Sequence, residues 1–434
     1  MESIHSFLDF VRRSPTAYHA VSALSGMLAE AGHQPLRETE QWKLEPGASG
    51  FVTRNQSSLI AFRIPQKGLA PFRVLAAHSD SPMFKLKPAS AEQILGHYTR
   101  LNVEKYGGTI LSTWLDRPLS IAGRAVVRTE AGLESRLVNL DRDAVLIPSL
   151  PIHMNREVNN GYAFNAQVDM LPLWGGERAG EQLAEEIAAS AGAAPDQIAA
   201  ADLYLYNRTP GTVWGAANEF FSCPRIDDLE CAWTAVRSFL EAAPAEDAIT
   251  VCAVFDNEEV GSTSRQGAAG TFLPDVLNRI AEALGAGESR RRSLFAGSFM
   301  ISADNAHAVH PNHPEKYDAD NRCWMNGGVV IKHHAGQKYT TDAMSEAVFS
   351  TLCRRTGVPV QHFANRSDQA GGSTLGNLAM TQISMTTVDI GLAQLAMHSC
   401  YETAGCADAD WMIRAMRAFC ETPLSMAGDG AWLL

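Results

Sequence analysis

Scarcities narrow the field before any motif is read. The chain has 434 residues and 8 cysteines, yet no two cysteines form a CxxC pair. Scattered thiols of this kind suit reduced, buried side chains better than disulfides or a structural zinc ribbon. No stretch approaches the roughly 20 consecutive apolar residues that a membrane helix needs. The opening MESIHSFLDFVRRSP lacks a basic segment followed by an apolar core, so the expected location is the cytoplasm. Positive charge is also short: 36 Lys and Arg stand against 48 Asp and Glu, a net charge of -12. Nucleic acid and acidic membrane surfaces require a basic face and are poor partners for such a chain. There are no internal repeats and no low-complexity segments.

What remains is a long chain with 46% hydrophobic residues, ample for a large core. Its length exceeds one ordinary domain, so two domains or one domain with an insertion is expected. Apolar spacing predicts helices over 4–12 and 16–31, separated by Ser14-Pro15-Thr16, then strands over 58–64 and 72–77. From about Lys87 to Tyr206 the texture is mostly β, with strands such as 125–127 and 144–147 and one helix near 181–191. Helix-strand alternation then resumes. Strands are expected at Val251, 298–303, 329–332, 360–363 and 385–390, and helices at 277–284, 342–355, 374–380 and 409–420. The fold class is therefore α/β: a three-layer α/β/α catalytic domain with a mixed sheet, over 1–88 and 208–434, interrupted by a mostly β domain over 89–207.

The chemistry concentrates where apolar runs stop. Val251–Gly261, VCAVFDNEEVG, delivers Glu258 and Glu259 at the end of a buried strand, the place where open α/β sheets put their binding crevices. If the chain continues extended there, the two side chains face opposite ways and divide the work. Other ends supply His78, Asp80, Asp227, Asp228, Asp304 and His398. Each alone has an ordinary explanation: a histidine on an apolar segment is usually a hydrogen-bonded core residue, and Asp227 could cap a helix. Together they are a mixed imidazole and carboxylate set, suited to zinc, cobalt or manganese, and costly to bury without cations. The charges of Asp227, Glu259 and Asp304 fit two divalent ions with a bridging hydroxide, one aspartate bridging. Glu258, beside a ligand, is placed to move the proton of the attacking water. The residues alone leave open an aminopeptidase, a di-metal deacylase or carboxypeptidase, and a non-catalytic metal-stabilised assembly protein. His310, His313, His333 and His334 read as surface or supporting residues, and the Arg290-Arg291-Arg292 run as a solvated loop.

Through LAAHSDSP, PRIDDL, DNEEVGS, ISADNAHAVHP, SDQAGGSTLG and QLAMHS, in this order, the chain resembles the aspartyl aminopeptidases, a family of co-catalytic zinc exopeptidases. The resemblance implies that His78, Asp227, Glu259, Asp304 and His398 ligate two divalent metal ions, most simply Zn2+, with Asp227 bridging. It implies Glu258 as general base, Asp80 orienting His78, and a cis peptide between Asp227 and Asp228. Substrate contacts are implied at His307, Lys332, Tyr339 and around Asp368 to Ser373, Gly372 among them. His153 corresponds to a position that reaches a neighbouring subunit's site; a role as a third histidine ligand is the lesser alternative. The implied activity is release of N-terminal residues from peptides, acidic ones preferred, with Lys332 the candidate cation for that side chain. The inserted domain is implied to build dimers and then a tetrahedral dodecamer.

Overall fold

The computed structural model describes residues 2–434. Its largest element is a nine-stranded mixed sheet, ordered Gln34–Leu36, Ser49–Arg54, Ser58–Arg63, Ile249–Phe255, Phe72–His78, Phe299–Ala303, Thr386–Gly391, Val329–His333 and Val360–Ala364. The four strands from Ile249–Phe255 to Thr386–Gly391 run parallel. They are buried along nearly their whole length, which is why they read as unbroken apolar runs rather than alternating ones.

Helices cover both faces. Glu2–Arg13, Ala17–Glu30, Ile226–Glu241, Ala343–Thr356 and Asp408–Glu421 pack on one face through Phe7, Leu24, Trp233, Phe349 and Phe419. Phe272–Ala283, Glu288–Ala296 and Leu375–Gln382 close the other over Phe62, Phe72, Phe255 and Leu277. The three-layer arrangement expected from helix-strand alternation is what forms.

Residues 83–207 build a separate six-stranded antiparallel sheet, ordered Gly132–Asn139, Leu119–Thr129, Ile198–Asn207, Met83–Ile94, Tyr98–Tyr106 and Leu173–Gly176. It has its own core of Phe84, Leu101, Val103, Trp114, Ile121 and Leu205. A five-stranded sheet of Thr212–Trp214, Phe220–Cys223, Glu402–Gly405, Ala393–Leu395 and Ala306–His307 ties late segments of the chain together.

Two local expectations fail. Residues 144–147 are not a strand: they bridge to Leu115, Leu119 and Leu173 in turn, and a segment that changes partner at each step builds no continuous ladder. The Arg290–Arg292 run is not a loop but lies in the helix Glu288–Ala296. Arginine is a good helix former, Glu288 pairs with Arg292 at 2.7 Å one turn apart, and Leu294 is buried.

Candidate metal centre

The strands Ile249–Phe255, Phe72–His78 and Phe299–Ala303 are neighbours and parallel, so their C-terminal ends open on the same edge of the sheet. That edge collects Glu258 and Glu259, His78 and Asp80, and Asp304. Asp227 and Asp228 arrive from the start of the helix Ile226–Glu241, where both depart from helical geometry and their peptide bond is cis. His398 comes from the turn after Ala393–Leu395, with φ of 67°. The chain after Phe255 does not continue extended. Asn257 adopts the left-handed conformation, and Glu258–Val260 form a single tight helical turn. The cause is Asp80, whose two carboxylate oxygens accept the N–H groups of Glu258 (3.1 Å) and Glu259 (3.2 Å) and curl the chain around themselves.

Asp227 sits at the middle of the cluster, fully surrounded. Its Oδ1 faces His78 Nε2 at 3.6 Å, and its Oδ2 faces His398 Nε2 at 3.3 Å; the same His398 nitrogen lies 3.3 Å from Glu259 Oε1. One carboxylate thus serves two separate groups of donors: His78, Asp228 and Asp304 on one side, Glu259 and His398 on the other. The ring orientations follow from the far nitrogens. His78 Nδ1 donates toward the Asp80 carbonyl at 3.1 Å, and His398 Nδ1 toward the Gly108 carbonyl at 3.2 Å. Both Nε2 atoms point at Asp227, the orientation in which a metal ion can take the place of their protons.

The donor set fits divalent cations on two counts. Asp227 Oδ1, Asp228 Oδ1 and Glu259 Oε1 are buried without a hydrogen-bond partner, a costly state for carboxylate oxygens unless something else binds them. The spacings of 3.3 to 3.6 Å between donors also match the edge of a coordination tetrahedron, about 3.3 Å for bonds of about 2.0 Å. Titration points the same way. Burial raises Glu258 to about 8, reinforced by the negative charges of Asp304, Asp80 and Asp227. Burial, together with Asp227, likewise pushes Glu259 well above its usual range. For Asp227 burial opposes ionisation, but hydrogen bonds from His398 and His78 outweigh it and hold the carboxyl well below the ordinary value.

The remaining candidates divide. Lys332 is buried, donates to the Asn305 carbonyl at 2.9 Å and lies 3.5 Å from Asp304, with its ammonium 5.4 Å from the centre of the Tyr339 ring. A side chain at Gly372 would lie 4.0 Å from the Tyr339 hydroxyl. His307 is exposed next to this group, its ring 5.9 Å from that of Phe363. Asp368 is turned away into an exposed ion pair with Arg366 at 2.7 Å. His153 is exposed in the turn 152–154 and forms no hydrogen bond or ion pair with the cluster among the described residues.

Two supports lie outside the sequence reading. Tyr106, at the end of a strand of the six-stranded sheet, donates to Asp80 Oδ2 at 2.6 Å. Glu402 accepts from the backbone N–H of Asp227 (3.1 Å) and of His398 (2.8 Å), fixing two members of the cluster at once. The only sequence signal for Glu402 is its position four residues after His398.

Fold and site together define a metallohydrolase of the α/β/α exopeptidase type, with a mostly β domain beside the catalytic sheet. Residues 10–420 match the family described as aminopeptidase I zinc metalloprotease (M18). A probable M18 family aminopeptidase 2 of Clostridium acetobutylicum is 42% identical over 427 residues, covering 96% of this chain and 98% of the relative. One of the same description from Pseudomonas aeruginosa is 39% identical, covering 95% and 96%. Among solved structures, the cryo-EM structure of the Ape4 and Nbr1 complex superposes with a TM-score of 0.92 at 37% identity, over 96% of this chain and 84% of that one. The mApe1 dodecamer of the yeast S. cerevisiae superposes with a TM-score of 0.84 at 28% identity, over 96% and 95%. The chain belongs to the M18 family of zinc aminopeptidases.

Proposed function

We propose that this aminopeptidase acts through two divalent ions held by His78, Asp227, Glu259, Asp304 and His398, with Asp227 shared between them and Glu258 as the proton carrier. The observation that carries the reading is the division of Asp227, one oxygen toward His78 and the other toward His398 and Glu259. Bound there, such ions supply a polarised scissile carbonyl and an attacking water of lowered pKa. Glu258, beside the proposed ligand Glu259, takes the proton from the attacking water and returns it to the departing amine. Asp80 holds the turn that carries both glutamates and orients His78. The substrate's free N-terminus is received by the carboxylates.

The preferred first residue is acidic, and Lys332 is the cation that receives it, with Tyr339, His307 and Gly372 around it. The test is a panel of aminoacyl anilides, with zinc, cobalt or manganese restored after chelation. Aspartyl and glutamyl anilides should exceed leucyl anilide in kcat/KM by at least about tenfold, and Lys332→Met should erase that margin, a loss of about 1.4 kcal/mol or more on the acidic substrates. If Lys332→Met instead slows every anilide equally, the lysine steadies the developing oxyanion and the acidic preference has no basis in it.

The chain assembles as a homo-oligomer through the six-stranded sheet, a dodecamer in the fullest form, and works in the cytoplasm. Leu95, Tyr98, Leu133, Leu137, Leu150, Ile152 and Met154 are apolar and exposed within residues 83–207, more than the rest of the described chain exposes. Such a concentration is what an assembly face needs. In the assembly, His153 of one subunit reaches the substrate of its neighbour. Sedimentation would report the subunit count, and His153→Ala should impair hydrolysis only where that assembly is intact.

A further inference from the structure

A second group of donors lies outside the catalytic cluster. The strands Val329–His333 and Val360–Ala364 are parallel neighbours, registered Ile331 to His362 and His333 to Ala364. Alternation sends Val330, Lys332 and Phe363 to one face, where Val330 and Phe363 pack with Tyr339. It sends Val329, Ile331 and His333, together with Val360 and His362, to the other. There Val329 and Ile331 share one apolar core with Val348, Phe349 and Leu352 of the helix Ala343–Thr356. The first turn of that helix contributes Glu346. A strand that aims a lysine at the catalytic centre on one side therefore presents a histidine to a helical carboxylate on the other.

The three side chains converge. His333 Nε2 lies 3.2 Å from His362 Nδ1, and His362 Nδ1 lies 3.5 Å from Glu346 Oε1. All three candidate ligand atoms fall within 4.8 Å of one another. The two rings stack at 29° to one another with centroids at 5.5 Å, offset so that His333 Nε2 and His362 Nδ1 meet at their edges. These spacings are again those of a tetrahedral edge, about 3.3 Å for metal-ligand bonds of about 2.0 Å. His333 and Glu346 are half-buried and His362 is exposed, which leaves one side open to water.

We propose that His333, Glu346 and His362 form a divalent transition-metal site of the zinc class, separate from the catalytic cluster, with solvent completing the coordination. Two imidazoles and one carboxylate, with no thiolate, suit zinc, cobalt, nickel or copper rather than calcium or magnesium, which take oxygen ligands. Burial holds His333 below its usual pKa against the pull of Glu346, which favours the neutral ring that a metal ion binds. The bound ion ties the edge strand Val360–Ala364, its neighbour and the helix Ala343–Thr356 into one unit. It does so one residue beyond Lys332 and at the root of the segment that leads to Tyr339. Its role is to clamp this edge of the sheet, not to take part in hydrolysis.

The test compares the full-length protein with His362→Ala and with Glu346→Gln, which keeps the size of the side chain. Each is stripped with chelator, re-equilibrated in buffered zinc up to about 10 μM, and assayed for zinc content, melting temperature and anilide hydrolysis. The variants should hold about one zinc fewer per chain, lose the part of the zinc-induced rise in Tm that the wild type shows, and hydrolyse within about twofold of it. Equal zinc contents in the wild type and Glu346→Gln would show an ordinary hydrogen-bonded pair of histidines and overturn the proposal. A zinc loss that takes hydrolysis with it would overturn it too, since the missing ion then belongs to the Asp227 cluster.

Discussion

Tyr106→Phe removes one hydroxyl from the six-stranded sheet and leaves the ring's packing in place. That hydroxyl donates to Asp80 Oδ2 at 2.6 Å and accepts from Asn257 Nδ2 at 2.8 Å. Asp80 is itself the hub that accepts the amides of Glu258 and Glu259 and steadies the ring of His78. A hydrogen bond to a buried charged acceptor contributes about 1.5–3 kcal/mol, and the orphaned Asn257 amide adds to the loss. At about 1.4 kcal/mol per factor of ten, full transmission to the proposed ligands Glu259 and His78 weakens metal binding by about 10- to 100-fold. The assay is competition for zinc against a chromogenic chelator, followed by hydrolysis in excess zinc. Affinity should fall in that range, and excess zinc should return hydrolysis to within about fivefold of the wild type. Zinc affinity unchanged within about twofold would refute the reasoning: Asp80 would then hold the turn without help from the β domain.

Other consequences can be checked on the same preparation. A side chain at Gly391 would run into the carbonyl oxygen of Asp304 and crowd the amide of Ala306, while one at Gly428 meets nothing within 4 Å. Gly391→Ala should therefore cost about 2 kcal/mol or more in denaturant unfolding and release metal, with Gly428→Ala as the neutral control. His19 is buried against Thr16, its pKa lowered to about 4 by desolvation and by nearby Arg225. A histidine held below its unfolded value of about 6.5 stabilises the neutral form, so its contribution is complete above that pH and is lost as pH falls toward 4, about 2 kcal/mol by pH 5. His19→Gln should flatten that part of the pH dependence of unfolding; an unchanged slope would assign the acid sensitivity elsewhere.

The parallel strands were the easiest features to anticipate, and for a physical reason. A strand buried on both faces is an apolar run, and the polar residues that end it mark the open edge of the sheet, which is how His78, Asp304 and the Glu258–Glu259 pair stand out. The conformation of that pair is not visible in the same way. It depends on Asp80, some 178 positions away, accepting both amides. Tyr106 and Glu402 escape sequence reasoning for a related reason: one ends an antiparallel strand of another sheet, the other reaches Asp227 across 175 positions. The bias of the Arg290–Arg292 run toward helix lies in an ion pair one turn apart, which a reading of charge alone takes for a solvated loop. His333 looks like a surface residue until the register beside His362 is known.

The division of labour between adjacent glutamates is tested most directly by metal content and turnover in Glu258→Gln and Glu259→Gln, compared side by side. Glu258→Gln should retain the wild-type metal content and lose about 100-fold or more in kcat, as removal of a proton carrier does. Glu259→Gln should lose metal first and regain part of its activity when zinc is supplied in excess. The opposite pattern, with metal lost from Glu258→Gln and retained by a slow Glu259→Gln, would exchange the two roles and contradict the assignment.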